Sequence, residues 1–226
     1  MNAAASQLRF QTVVFDMDGT MFDSEILYFR SAVEMFRRRG LQYTPEMALR
    51  VMGVPGREAM KLVKEDHRFP ESPDELYDES QQILRELMVE ELRLMPGLLE
   101  LLDRLESAGA SMGVATSTER DLTEHMLARY DLRRRFSFVL TRDDVQRGKP
   151  DPEIFLRACE AAGRPPAEVL VLEDSYNGTL AAKGAGCVCV AIPHELSRSI
   201  DFSHADLVAD HLLDDRLLAL AGLPAD

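Results

Sequence analysis

Short apolar runs recur along the chain and alternate with segments of helical periodicity. Each run is apolar at almost every position, which is typical of a strand buried on both faces of a parallel sheet. The runs occupy residues 13–15, 112–115, 138–140, 169–172 and 188–192. Between them, apolar residues recur at helical spacing, for example at Leu98, Leu101, Leu102 and Leu105. The alternation predicts an α/β fold with a doubly wound, Rossmann-like parallel sheet.

The alternation is interrupted between residues 24 and 93, where the pattern predicts helices alone. Thr44 and Pro45 predict the start of a second helix, and a capping box at residues 72–75 predicts a third. The first helix carries an apolar stripe formed by Ile26, Phe29, Val33 and Phe36. We therefore predict a helical cap domain, residues 24–93, inserted into a core domain formed by residues 1–23 and 94–226.

Two pairs of acidic residues follow predicted central strands. Asp16 and Asp18 follow the first run, and Glu173 and Asp174 follow the fourth. The carboxyl ends of parallel strands share one edge of the sheet, where α/β proteins bind their ligands. Clustered carboxylates at that edge suit Mg²⁺, which prefers oxygen ligands. Taken separately, each pair is also consistent with an ordinary polar turn or helix cap.

Hydroxyl groups and a lysine are predicted at the same edge. Thr116 and Ser117 follow the second run, where their hydroxyls and the N–H groups of the next helix can bind a phosphoryl oxygen. Lys149 precedes another helix start and would offset the charge of the acids and of a phosphate. Helix capping and a solvated lysine are the alternatives for each group alone. The convergence of all four groups at one edge favours a site for phosphoryl chemistry.

The composition limits the partners of the chain. Its formal net charge of −13 at pH 7 repels nucleic-acid phosphates, so we expect no nucleic-acid partner. No apolar run approaches the ~18 residues of a membrane helix, and the N-terminus lacks a secretory signal pattern. The three cysteines, Cys159, Cys187 and Cys189, fit buried reduced thiols. We expect a cytoplasmic protein without a membrane partner, as a monomer or weak homodimer.

Four motifs in the chain resemble the four signatures of the haloacid dehalogenase superfamily. They read FDMDGT from Phe15, ATST from Ala115, GKPDPEIF from Gly148 and LEDSYNG from Leu172. The helical insertion after the first motif is similar to the α-helical cap subclass of that superfamily. The resemblance covers nearly the whole chain.

The resemblance implies a role for each residue already singled out. By that likeness Asp16 is a nucleophile that forms an aspartyl-phosphate, and Asp18 is the general acid/base. The phosphoryl group is bound by Thr116, Ser117 and Lys149. The magnesium ligands are Asp16, the main-chain carbonyl of Asp18, and Asp174, with Glu173 beside the metal in its outer shell. The implied activity is Mg²⁺-dependent hydrolysis of a small phosphorylated metabolite.

The branch within the superfamily is indicated by stretches in the insertion and in the core domain. The stretch MGVPGR, residues 52–57, is similar to the substrate loop of β-phosphoglucomutase-like proteins, which implies that Gly53 and Arg57 bind substrate. Tyr28 stands where the true mutases carry a histidine, and this departure favours hydrolysis. Longer stretches, such as ELYDESQQIL and LSRSI, look closer to pseudouridine-5′-phosphatase-like proteins. The implied substrate is therefore a sugar phosphate or a nucleotide-type monoester.

Three alternatives remain open at this point. A β-phosphoglucomutase-type isomerase would use the same residues. A phospho-acceptor switch like a response regulator also combines acids, a hydroxyl and a lysine, but it needs neither an inserted cap nor an acid/base such as Asp18. The third alternative is a non-catalytic binding module that retains the four motifs.

Overall fold

The computed structural model describes residues 8–51, 54, 56–194 and 197–224. The chain divides into two compact units, one formed by Met1–Phe22 with Leu94–Asp226 and the other by Asp23–Arg93. We call them the core unit and the insert. No helix within the described ranges has the length and apolar character that a membrane span requires.

The core unit is built on a six-stranded sheet whose paired strands are all parallel. The order across the sheet is β3-β2-β1-β4-β5-β6, so the strand order reverses direction between β1 and β4. The strands are β1 (Thr12–Phe15), β2 (Ser111–Ala115), β3 (Phe138–Leu140), β4 (Val169–Glu173), β5 (Val188–Ala191) and β6 (Leu207–Val208). The predicted α/β fold with a Rossmann-like parallel sheet is confirmed.

The central strands are almost entirely apolar, as expected for a sheet flanked by helices. Every residue of β1 and of β4 is buried. Phe15 pairs with Val114 of β2 on one side and with Leu172 of β4 on the other. This register brings the residues that follow the three strands to one edge of the sheet, at the reversal of strand order where α/β proteins form their ligand sites.

The first helix of the core unit after the insert follows the predicted apolar spacing. The four leucines proposed for it are all buried. This helix begins after Gly97, whose φ of 82° lies in the left-handed region that favours glycine. The helices numbered here are α5 (Leu98–Ser107), α6 (Arg120–Arg129), α7 (Glu153–Ala162), α8 (Tyr176–Ala185) and α9 (Asp215–Ala221).

The described residues of the insert form four helices with an apolar core of their own. The helices are α1 (Glu25–Arg37), α2 (Pro45–Val51), α3 (Gly56–His67) and α4 (Pro73–Glu91). The capping box predicted at the start of α4 is present, since Ser72 and Glu75 each accept a hydrogen bond from the other's main-chain N–H. The buried residues at its centre are Met35, Phe36, Val63, Phe69, Leu76 and Ile83.

The stripe predicted for α1 is only partly correct. Phe36 is buried, but Ile26 is 45% exposed. The buried face instead runs through Leu27, Ser31 and Met35, which are four residues apart. The Ser31 hydroxyl donates a hydrogen bond to the main-chain oxygen of Ser80 at 2.9 Å, which satisfies this polar group inside the insert.

The two segments that connect the core unit to the insert are hydrogen-bonded to each other. Phe22 forms an antiparallel bridge with Leu94, and the Met95 N–H donates to the Met21 oxygen at 2.9 Å. On the insert side, the Asp23 N–H donates to the Arg93 oxygen at 3.0 Å. The outgoing and returning segments therefore run side by side.

Candidate active site

A buried lysine connects its own motif to the other three at the carboxyl edge of the sheet. The Lys149 ammonium lies 2.5 Å from Asp16 Oδ1 and 2.6 Å from Glu173 Oε1, and it donates to the Ala115 oxygen at 3.1 Å. Asp16 follows β1, Ala115 ends β2 and Glu173 ends β4. The Lys149 side chain is only 5% exposed, so these contacts are shielded from water.

Two carboxylates contact this ammonium and form an acidic cluster with a third, that of Asp174. Oxygens of Asp16, Glu173 and Asp174 all lie within 4.8 Å of one another, and the three residues are buried. Burial raises the pKa of Asp16 well above its usual range; Lys149 opposes that rise and the neighbouring carboxylates add to it. Burial opposes the charge of Lys149, but Asp16 and Glu173 hold its pKa above the ordinary value.

The cluster suits a hard divalent cation. Three carboxylates face one ammonium, which leaves an excess of negative charge in a buried place, and oxygen donors are the ligands of such cations. Glu173 is the most constrained of the three. Its Oε1 accepts from Lys149, while its Oε2 accepts from the N–H groups of Asp174 and Ser175 and from the Ser175 hydroxyl, at 2.9–3.0 Å. This bonding suits a residue that supports a metal site from outside rather than a direct ligand.

The ATST motif supplies hydroxyl groups to the second aspartate of the first motif. The Thr118 hydroxyl donates to Asp18 Oδ2 at 2.6 Å, and the Thr116 hydroxyl lies 3.4 Å from the same oxygen. Thr116 also accepts the Thr118 N–H at 3.0 Å. Ser117, which was predicted to bind the phosphoryl group with Thr116, is exposed. The structure thus brings Thr116 and Thr118 to Asp18.

With this geometry in view, comparison with known proteins identifies the family. A sequence profile described as "Haloacid dehalogenase-like hydrolase" matches residues 13–192. The chain belongs to this family. The matched range contains all four motifs, so the family predicted from them is confirmed.

Relatives of this haloacid dehalogenase-like hydrolase include proteins named as phosphatases. It is 36% identical over 180 residues to "Phosphorylated carbohydrates phosphatase" of Thermotoga maritima, covering 78% of this chain and 82% of the relative. It is 34% identical over 220 residues to "Probable pseudouridine-5′-phosphatase" of Drosophila melanogaster, covering 94% of each chain. A solved structure of CbbY from Rhodobacter sphaeroides in complex with phosphate superimposes with a TM-score of 0.81 at 29% identity, covering 95% of this chain and 99% of that one. The prediction of an enzyme of the phosphatase type within this family is confirmed.

Two glycines of the hydrolase leave the space that carboxylates of the acidic cluster occupy. A Cβ on Gly19, whose φ is +73°, would lie 2.1 Å from Asp174 Oδ2. A Cβ on Gly178 would lie 1.6 Å from Glu173 Oε1. Both distances are far below van der Waals contact, so any larger residue would displace a carboxylate of the cluster.

His194 contacts the acidic cluster and was not anticipated. Its Nε2 lies 3.1 Å from Asp174 Oδ2, and the residue follows β5 at the same edge of the sheet. A polar residue within two positions of the end of the apolar run 188–192 resembles the signal that identified the acidic pairs. That rule, applied to the fifth run, would have found this residue.

Two substrate-binding residues, Gly53 and Arg57, were predicted in the insert, and the structure describes only the second of them. Gly53 lies outside the described residues. Arg57 lies near the start of α3, where its guanidinium is paired with Asp74 and stacks over the Tyr77 ring at 4.6 Å from the centroid. Within the insert, this guanidinium is therefore held by an acidic and an aromatic neighbour.

The raised pKa of Asp16 predicts how the stability of the metal-free hydrolase depends on pH. Above the ordinary aspartate pKa of about 4, the folded protein retains a proton that the unfolded chain has released. Stability due to this group is therefore lost as the pH rises through the folded pKa. In EDTA, we expect Asp16→Asn to be more thermostable than wild type, by a margin that grows as the pH rises above about 4. Thermal melts of both proteins across this range test it, and a margin that does not change with pH would contradict it.

Proposed function

We propose that this hydrolase is a Mg²⁺-dependent phosphomonoesterase that acts on a small phosphorylated metabolite through an aspartyl-phosphate on Asp16. The observation that carries the proposal is the contact of a buried, protonated Lys149 with Asp16 inside the acidic cluster. A carboxylate attacks a phosphate dianion only when the negative charge of both is offset. The cluster combines a nucleophile with the groups that provide this offset.

In the first step, a carboxylate oxygen of Asp16 forms a bond to phosphorus while the bond from phosphorus to the alcohol oxygen breaks. Asp18 donates a proton to the departing oxygen, so that a neutral alcohol leaves. In the second step, Asp18 takes a proton from water as the water oxygen attacks phosphorus. Inorganic phosphate leaves and the carboxylate of Asp16 is restored.

The remaining polar residues hold the phosphoryl group and the metal. Lys149 supplies positive charge to the phosphoryl oxygens, and Thr116 with Ser117 supplies hydrogen bonds. Magnesium would be held by Asp16, the main-chain carbonyl of Asp18 and Asp174, with Glu173 in the outer shell, and when bound it offsets negative charge in the transition state. The bonding of Glu173 to Lys149 and to two main-chain N–H groups supports this outer position.

The substrate class follows from the relatives and from the insert. Relatives named for phosphorylated carbohydrates and for pseudouridine 5′-phosphate favour a sugar phosphate or a nucleotide-type monoester here. Gly53 and Arg57 remain our proposed substrate-binding residues. We further propose a cytoplasmic enzyme that is a monomer or a weak homodimer.

A substrate panel tests the function directly. Purified protein is incubated with Mg²⁺ and hexose phosphates, pentose phosphates, nucleoside 5′-monophosphates and pseudouridine 5′-phosphate, and released inorganic phosphate is measured. We expect release from a subset of these compounds. Interconversion of glucose 1-phosphate and glucose 6-phosphate without phosphate release would replace hydrolysis by the mutase alternative.

Removal of the metal should silence the enzyme. The carboxylate excess leaves the nucleophile in an environment that repels a phosphate dianion, so we expect turnover of p-nitrophenyl phosphate to vanish after dialysis against EDTA and to return with Mg²⁺. In Asp174→Asn, half-maximal activity should require about 10-fold more Mg²⁺ or above, while an exposed control, Asp121→Asn, should titrate like wild type. Metal-independent turnover would refute the metal assignment.

A further inference from the structure

Thr118 makes a short hydrogen bond to the carboxyl group of Asp18. Its hydroxyl donates to Oδ2 at 2.6 Å, whereas the Thr116 hydroxyl lies at 3.4 Å. Thr118 is 9% exposed, so bulk water competes little for this contact. The residue lies just outside the positions that the sequence motif assigned to phosphoryl binding.

The main chain around Thr118 is fixed on both sides. Its N–H donates to the Thr116 hydroxyl at 3.0 Å, and its carbonyl accepts the Arg142 N–H at 3.0 Å. The hydroxyl is therefore presented to Asp18 from a held segment between β2 and α6. Asp18 itself is half-buried and lies on the turn that Gly19 completes with a φ of +73°.

We propose that Thr118 is a positioning residue that orients the Asp18 carboxyl group for proton transfer to the leaving oxygen. This inference rests on the proposed phosphatase function and adds a residue to it. Thr116 and Thr118 both donate to Asp18 Oδ2, and the Thr116 hydroxyl lies 3.4 Å from it. Because the Thr116 hydroxyl is also proposed to bind the phosphoryl group, this shared contact supports an Asp18 carboxyl group turned towards that group. Thr118 therefore holds the carboxyl group on the side of the phosphoryl group.

If Thr118 positions the general acid, the rate lost on removing its hydroxyl should depend on the leaving group of the substrate. A positioned general acid contributes about 10²–10⁴-fold to a step in which an alkoxide would otherwise depart, and a displacement of about 1 Å can cost about 10²-fold. A nitrophenolate leaves without much help from an acid. Loss of the Thr118 hydroxyl should therefore slow the cleavage of alkyl phosphates much more than the cleavage of aryl phosphates.

The decisive measurement is kcat/KM for an alkyl phosphate from the substrate panel and for p-nitrophenyl phosphate. This constant covers the steps up to the transfer of phosphorus to Asp16, so later hydrolysis does not obscure it. In Thr118→Val, which keeps the shape and removes the hydroxyl, we expect the ratio of alkyl to aryl kcat/KM to fall about 10- to 100-fold. Thr118→Ser should return the ratio towards that of wild type.

A matched control lies on the following helix. Thr123 is fully buried, and its hydroxyl has no hydrogen-bond partner within the described part of the chain. Thr123→Val should leave the ratio unchanged. If Thr118→Val does not fold, as judged by its melting transition, Thr118→Ala removes the same hydroxyl and carries the same expectation.

The outcomes separate this inference from the function on which it rests. Phosphate release by wild type and its loss in Asp16→Asn establish the phosphatase in the same assay. Given that result, an equal fall with both substrates, or no fall, overturns the positioning role of Thr118. A rise in the alkyl rate also overturns it, because the hydroxyl would then restrain Asp18 away from the leaving oxygen.

Discussion

Asp16→Asn should reduce phosphatase turnover by about 10⁴-fold or more, the largest effect of any single substitution in this chain. Asparagine keeps the size of the side chain but lacks the carboxylate that bonds to phosphorus. The variant should still fold, because the substitution removes one of three clustered carboxylates and leaves Lys149 in contact with Glu173. Loss of activity would then report on chemistry and not on unfolding.

The measurement combines turnover with detection of the intermediate. Wild type mixed with substrate and quenched in acid should carry one phosphoryl group in a peptide that contains Asp16, and Asp16→Asn should carry none. The control is Asp121→Asn on α6, which removes an exposed carboxylate and should behave like wild type. Appreciable turnover by Asp16→Asn would remove the nucleophile from the proposal.

Lys149→Met should damage both stability and catalysis. Methionine fills similar space, but it leaves Asp16 and Glu173 buried without their cation and leaves the Ala115 oxygen without its donor. Removal of one partner from a buried ion pair costs about 3–5 kcal/mol of unfolding free energy. Loss of one charged phosphoryl contact costs about 10²–10³-fold in rate. The loss of stability should be smaller at low pH, where the Asp16 carboxyl group binds a proton.

Denaturant unfolding in EDTA and kcat/KM with Mg²⁺ test the two parts separately. Lys183→Met is the matched control, since Lys183 forms a more exposed ion pair with Asp206 at 2.7 Å and exposed pairs contribute about 0–1 kcal/mol. Wild-type stability in Lys149→Met would contradict the buried ion pair. Wild-type kcat/KM would contradict the phosphoryl contact. Asp16→Asn and Lys149→Met are thus expected to act alike on activity and in opposite directions on the stability of the metal-free protein.

The sheet and the edge that carries the acidic cluster could be predicted because the strands are buried on both faces. A strand that is covered by helices on both sides is apolar at almost every position, so its sequence differs from that of a half-exposed strand or a surface helix. Parallel pairing then fixes which side chains share an edge, and the acids and hydroxyls that follow several such runs are brought together there. Strand β6 could not be predicted in this way, because its two residues are too few to show a pattern.

The helices of the insert were harder to predict because their burial is weaker or includes polar groups. Helix α3 has only Ala59 and Val63 among its buried residues, so no apolar stripe marks it. The buried face of α1 includes Ser31, whose partner is the main chain of a distant helix. A search for apolar positions misplaces the buried face of this helix, because it counts Ser31 as exposed. Only the folded insert shows that the Ser31 hydroxyl has a hydrogen-bond partner and can be buried.

The contacts of Thr118 could not be predicted from the sequence for a different reason. Two threonines separated by one residue follow the same strand, and both are suited to bind a phosphoryl oxygen. Which of them approaches Asp18 more closely depends on rotamers and on a turn held by Arg142. These are properties of the assembled edge and not of any one segment.

The side-by-side connections at Phe22 and Leu94 bring the two ends of the inserted chain together within the core unit. Loop-closure entropy grows only slowly with loop length, so a few residues or a whole helical unit can be accommodated at this point. Every residue of the acidic cluster, with Lys149, Thr116 and Thr118, belongs to the core unit. We therefore expect that the insert, which carries the proposed substrate-binding residues, can differ between relatives while the proposed reacting groups of the core unit are kept.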